Sequence, residues 1–74
     1  MRTGQPERIG QPLTEPERAV LVLVAEGLTN AEIAVELFKS LDTVKEQLAS
    51  VCVKLEARSR ANAVAIGIRR GVIA

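Results

Sequence analysis

The sequence predicts an all-α chain of four short helices. Three observations carry this: four helix-start signals in succession, apolar residues recurring at helical spacing, and no stretch that alternates like a half-buried strand. The 74 residues make one domain at most, because a chain this short buries only about 60% of the surface it exposes when unfolded. The core must be aliphatic, since 47% of the residues are hydrophobic and Phe38 is the one aromatic. Covalent and metal staples are missing. Cys52 alone cannot form an internal disulfide, and a chain without histidine has no cysteine/histidine zinc set.

Residues 1–12 hold two glycines and two prolines among polar residues and read as a flexible leader or linker, leaving 13–74 as the domain. Thr14-Glu15-Pro16-Glu17 is a capping box, with threonine as N-cap and glutamate three residues on. Pro16 falls in the first turn, where a missing amide hydrogen costs nothing. The first helix is expected to run to about Glu26, ended by Gly27 in the left-handed conformation. The box returns as Thr29-Asn30-Ala31-Glu32, with Leu28 and Ile33 placed as a hydrophobic staple. This second helix is short, turns Ile33, Ala34 and Leu37 to one side, and closes near Phe38.

Ser40 is the third N-cap, with Asp42 favourably placed at the positive end of the helix dipole. The third helix (about 41–56) carries Val44, Leu48, Val51, Cys52 and Leu55 as one buried stripe. Ser59 caps the fourth helix, which is expected to reach about Arg70 and stop at Gly71, with Val72 and Ile73 folding back onto the core. Two apolar stripes share that helix. Ala63, Val64 and Gly67 face the core, and Ala61, Ala65 and Ile68 lie about 120° away, where a dimer contact is the favoured use.

Several function classes are set aside. There is no histidine and no glycine-rich phosphate loop, and the Glu15/Glu17 pair is explained by its helix start. No catalytic residue, metal or cofactor is therefore expected, and Cys52 is assigned to the core. No apolar run approaches the roughly 18 residues needed to span a membrane, and the start of the chain has no apolar signal-peptide core. A cytoplasmic protein with no membrane partner is expected. The net charge is only +1, low for a nucleic-acid binder.

The ordered set Leu13-Thr14-x-x-Glu17-Arg18, Val24-Ala25-Glu26-Gly27-Leu28-Thr29-Asn30-x-Glu32-Ile33-Ala34, Leu37-Phe38-x-Ser40, Thr43-Val44-Lys45, Lys54-Leu55, Arg58-Ser59-Arg60 and Ala63-Val64 resembles the LuxR-type (GerE-like) DNA-binding domain of bacterial transcription regulators. The resemblance covers about residues 13 to 73. It implies a tri-helical helix-turn-helix with a fourth, C-terminal dimerisation helix. The second helix would lie across the DNA backbone and the third would enter the major groove. Double-stranded DNA is the expected partner, bound by a homodimer on a palindromic site. Larger relatives join this domain to a receiver or ligand-binding domain, and the sequence leaves open whether this chain stands alone or is part of a longer regulator.

With the apolar stripe inward, the third helix is expected to turn Asp42, Thr43, Lys45, Glu46, Gln47, Ala49, Ser50, Val53 and Lys54 outward. In similar domains the positions of Thr43, Lys45 and Lys54 contact phosphates, and those of Lys45, Glu46 and Ala49 face base edges. Lys45 can donate to guanine or a phosphate, Glu46 can accept from cytosine, and Gln47 can pair with adenine or reach a phosphate. Arg58 and Arg60 are candidate phosphate anchors. The expected DNA-contact set is thus Thr43, Lys45, Glu46, Gln47, Ala49, Ser50, Lys54, Arg58 and Arg60.

The chain also departs from its likeness. Ala31, Val35, Ala49 and Val53 stand where similar domains often place lysine or arginine. Lys39 replaces an apolar residue and Gln47 a frequent histidine. From Leu37 to Arg60 five basic residues face three acidic ones, a balance of +2. With Val22, Val35 and Val53 read as solvent-facing, the alternative is a degenerate helix-turn-helix that pairs with another regulator or with the transcription machinery.

Overall fold

The computed structural model describes residues 8–74 and contains four helices. These are α1 (Glu15–Ala25), α2 (Asn30–Leu37), α3 (Leu41–Leu55) and α4 (Arg60–Arg69). Each starts where its cap predicts. Thr14 Oγ1 accepts from the Glu17 amide at 3.3 Å while Glu17 Oε1 accepts from the Thr14 amide at 2.9 Å. Thr29 and Glu32 repeat this exchange at 3.2 and 2.8 Å. Ser40 Oγ accepts from the Thr43 amide and Ser59 Oγ from the Asn62 amide, both at 3.0 Å. These bonds satisfy amides that have no carbonyl partner inside the first turn.

The ends differ more from expectation. Gly27 adopts φ 93° after α1, as its place in the sequence predicts. Two non-glycine residues do the same work elsewhere: Phe38 ends α2 at φ 56° and Glu56 ends α3 at φ 55°. Glu56 therefore lies outside α3 rather than in it. The chain after Gly71 does fold back, with the amides of Val72 and Ile73 donating to the Gly67 carbonyl at 2.8 and 3.3 Å.

The core is built on α1 and α3, which pack together and also contact both other helices. On one flank Leu21, Val51, Leu55, Ala63, Ile66 and Ile73 close over α4. On the other, Val20, Val24, Ile33, Ala34 and Val44 close over α2, with Leu28 of the expected staple packed beside them. Val64 touches both clusters. Gly67 permits the close approach of α4: a Cβ there would lie 3.0 Å from Leu21 Cδ2 and 3.3 Å from Ile73 Cγ1. Ile66, unassigned by the stripe argument, is buried. Val22 is corrected as well. It is half-buried against the α4-side cluster, as Val53 is half-buried on α3, whereas Val35 is exposed as expected.

The expected leader divides in two. Residues 1–7 lie outside the described residues. Residues 8–12 run along the C-terminal half of α3: the Gly10 amide donates to the Lys54 carbonyl at 3.1 Å, and Arg8 Nη1 donates to Ser50 Oγ at 3.3 Å.

Candidate nucleic-acid interface

The face that α3 offers to solvent is narrower than its sequence suggests. Asp42, Lys45, Glu46 and Ala49 are exposed, and Thr43 and Gln47 are half-buried. Thr43 is tied into the cap, its Oγ1 accepting from Ser40 Oγ at 2.9 Å. Gln47 Oε1 accepts from Lys39 Nζ at 2.8 Å, which fixes the amide and brings the Lys39 charge onto α3.

Ser50 and Lys54 are not on that face. Both are 7% exposed, turned inward against α1. Lys54 Nζ donates to Glu17 Oε1 at 2.7 Å and to the Pro12 carbonyl at 3.3 Å, and Ser50 Oγ donates to Glu17 Oε2 at 2.7 Å. Helical spacing explains the correction. Ser50 and Lys54 are four apart and share a face with Val51 and Leu55 at their edge, so α1 covers them once it packs there. The Lys54 ammonium is spent on a buried carboxylate. Burial pushes the Glu17 carboxyl up, but the bonds from Lys54, the Thr14 amide and Ser50 outweigh it and hold the group below the ordinary carboxylate range.

A second constellation lies around the N-terminus of α2. Thr29, Asn30, Ala31, Leu41, Lys45 and Arg60 help line an open groove of about 540 Å3. Arg60 is held there from α4, its Nη1 donating to Asn30 Oδ1 at 2.9 Å and its Nη2 to the Leu28 carbonyl at 3.1 Å. No carboxylate pairs with it among these bonds. The amides of Asn30 and Ala31 occupy the first turn of α2, where no intrahelical acceptor exists, at the positive end of the helix dipole. Two cations and a helix N-terminus thus converge in a groove that can take an anion. Sequence reasoning found Lys45 and Arg60 but not their meeting, nor the part of Asn30. Arg58, two residues before Arg60, is exposed, its amide donating to Asn62 Oδ1 at 2.9 Å.

On α4, Ala61, Ala65 and Ile68 are exposed, Ile68 to 51%. Cys52 is half-buried; burial pushes its thiol up, opposed by the nearby Arg60 charge, so it stays protonated at neutral pH. No helix among the described residues is long and apolar enough to cross a membrane.

A short helix, a three-residue turn (Phe38, Lys39, Ser40) and a longer helix on a shared core define a helix-turn-helix domain of the DNA-binding class. Comparison with known proteins agrees: the pattern of GerE, bacterial regulatory proteins of the luxR family, matches residues 11–66. The chain belongs to that family, whose domain binds DNA and is not an enzyme. It is 39% identical over 67 residues to the uncharacterized transcriptional regulatory protein YxjL of Bacillus subtilis, covering 90% of this chain and 31% of that protein. It is 44% identical over 61 residues to transcriptional regulatory protein YdfI of Bacillus subtilis, covering 82% of this chain and 29% of that one. To response regulator protein VraR of Staphylococcus saprophyticus it is 33% identical over 72 residues, covering 97% and 34%. The chain thus spans about a third of the length of these relatives.

Proposed function

We propose that the domain regulates transcription in the bacterial cytoplasm by placing α3 in the major groove of a two-fold DNA site, as a homodimer joined through Ala61, Ala65 and Ile68 of α4. One observation carries this reading. The exposed side chains in the first half of α3 adjoin the groove where Lys45, Arg60 and the α2 N-terminus converge. A duplex whose bases meet α3 would set a backbone phosphate beside that groove. In this arrangement Lys45, Glu46 and Ala49 face base edges, and Gln47, held by Lys39, is oriented rather than free. Thr43, Arg58 and Arg60 join the α2 amides at the backbone. Ser50 and Lys54 act from behind, fixing α3 to α1.

The reading makes a quantitative demand. Three cations per domain (Lys45, Arg58, Arg60) give a salt slope of about −3 for one domain and about −5 to −6 for a dimer, at about −0.9 per neutralised phosphate. Binding by a lone domain is then weak at physiological salt, and the second copy restores affinity. A salt-titrated binding assay against random and palindromic duplexes tests this. The palindrome should be preferred with the steeper slope. A slope near zero with no duplex retained would overturn the proposal.

A further inference from the structure

α2 turns an apolar row to solvent that no other described part of the chain covers. Ala31 and Val35 are four apart and share one face of α2, and Phe38 follows as the residue that ends the helix. Val35 is 77% exposed and Phe38 95%. Leu28, Ala31 and Val35 line an open groove of about 520 Å3 together with Glu32 and Glu36. Phe38 is doubly out of place. Its left-handed backbone, φ 56°, favours glycine or asparagine, and its ring gains no burial inside the domain in return.

Charge selects the occupant. From Glu26 to Phe38 the chain carries three carboxylates and no lysine or arginine. Glu32 and Glu36 line the groove beside Val35 and disfavour a phosphate there, whereas the anion-accepting amides of Asn30 and Ala31 lie at the N-terminal end of the helix. The same carboxylates oppose a second copy docked face to face, because a two-fold contact pairs the same patch with itself and like charges across an interface are costly. We propose that this face of α2 docks an amphipathic helix of a protein partner. The partner's apolar side lies on Val35 and Phe38, and its flanking lysines or arginines meet Glu32 and Glu36. Helices laid into apolar grooves are recognised in this way, and an exposed aromatic is the usual anchor. Phe38 stands at the end of α2 opposite Asn30, while Leu28 and Ala31 line both this groove and the Lys45–Arg60 groove, so the two sites adjoin.

The test is an NMR titration of the 15N-labelled chain with two synthetic amphipathic helices, one of leucine and lysine, the other of leucine and glutamate. The lysine peptide should give saturable shifts confined to residues 28–39, and the glutamate peptide none. Phe38→Asn with Val35→Ser should weaken the lysine peptide about tenfold or more while leaving the salt slope of duplex binding unchanged. Phe38→Asn alone, compatible with the left-handed backbone, keeps the test valid should the double variant unfold, and should weaken the peptide in the same direction. Equal shifts from both peptides, shifts scattered over other acidic positions, or loss of duplex binding in the variants would overturn the proposal. So would sedimentation showing self-association that depends on Phe38.

Discussion

Glu17 carries two duties that lie in different parts of the chain. Its capping bond to Thr14 spans three residues, whereas its ion pair with Lys54 spans 37. Removing one partner of a buried pair leaves the other charge uncompensated, so Lys54→Ala should cost about 3 kcal/mol in urea unfolding. That is a large part of the roughly 4–11 kcal/mol a domain of this size commands. Glu17→Gln with Lys54→Met keeps the cap and removes both charges, and should recover most of the loss. Because the folded Glu17 pKa is lowered from 4.5, its share of stability is present above that value and is lost as pH falls through the folded one. The acid limb of the stability curve should therefore be shallower in Glu17→Gln. Phe38 is the converse case. With its ring exposed and its backbone left-handed, Phe38→Gly should be neutral or stabilising by up to about 1 kcal/mol.

At the scale of elements, α3 divides its positive charge between two jobs. Lys45 is exposed and lines the groove, whereas Lys54 is buried. Lys45→Ala should leave thermal unfolding nearly unchanged yet reduce the salt slope of duplex binding by about 1 per domain. For Lys54→Ala the pattern reverses, with stability lost and the slope of the surviving folded fraction kept. On α4, Gly67 faces Leu21 and Ile73 at distances a methyl group already strains. Gly67→Leu should overpack that contact and cost about 1–3 kcal/mol by denaturant unfolding.

For the whole molecule, α2 and α4 flank the α1–α3 pair, with Arg60 bonded across to Asn30. Ala61, Ala65 and Ile68 form an exposed row on α4, to which the proposal gives the dimer contact. Ile68→Glu should shift the domain towards monomer in sedimentation and halve the salt slope on a palindromic site. A monomer both before and after the change would remove α4 from the interface. Much of this plan is legible in the chain. Thr14, Thr29, Ser40 and Ser59 announce every helix start because a cap is a contact over three residues. The faces of α3 were harder. Val44, Val51 and Leu55 reveal a core stripe by their chemistry, but Ser50 and Lys54 are polar, and polarity alone reads as exposure.

By itself the sequence determined the number, order and starting points of the helices, the aliphatic core, and the family pattern. These rest on short-range bonds and on periodicity, which a linear chain displays. Only the tertiary structure decided that Lys54 belongs to the interior. It also decided that Lys45 and Arg60 share one groove with Asn30, and that the ring of Phe38 finds no partner within the domain. Such facts depend on which helix faces meet, and burial is a property of the assembled neighbours rather than of the residue. The positive charge on the surface is therefore smaller than the chain's count of lysines and arginines, because Lys54 is buried and holds α3 to α1.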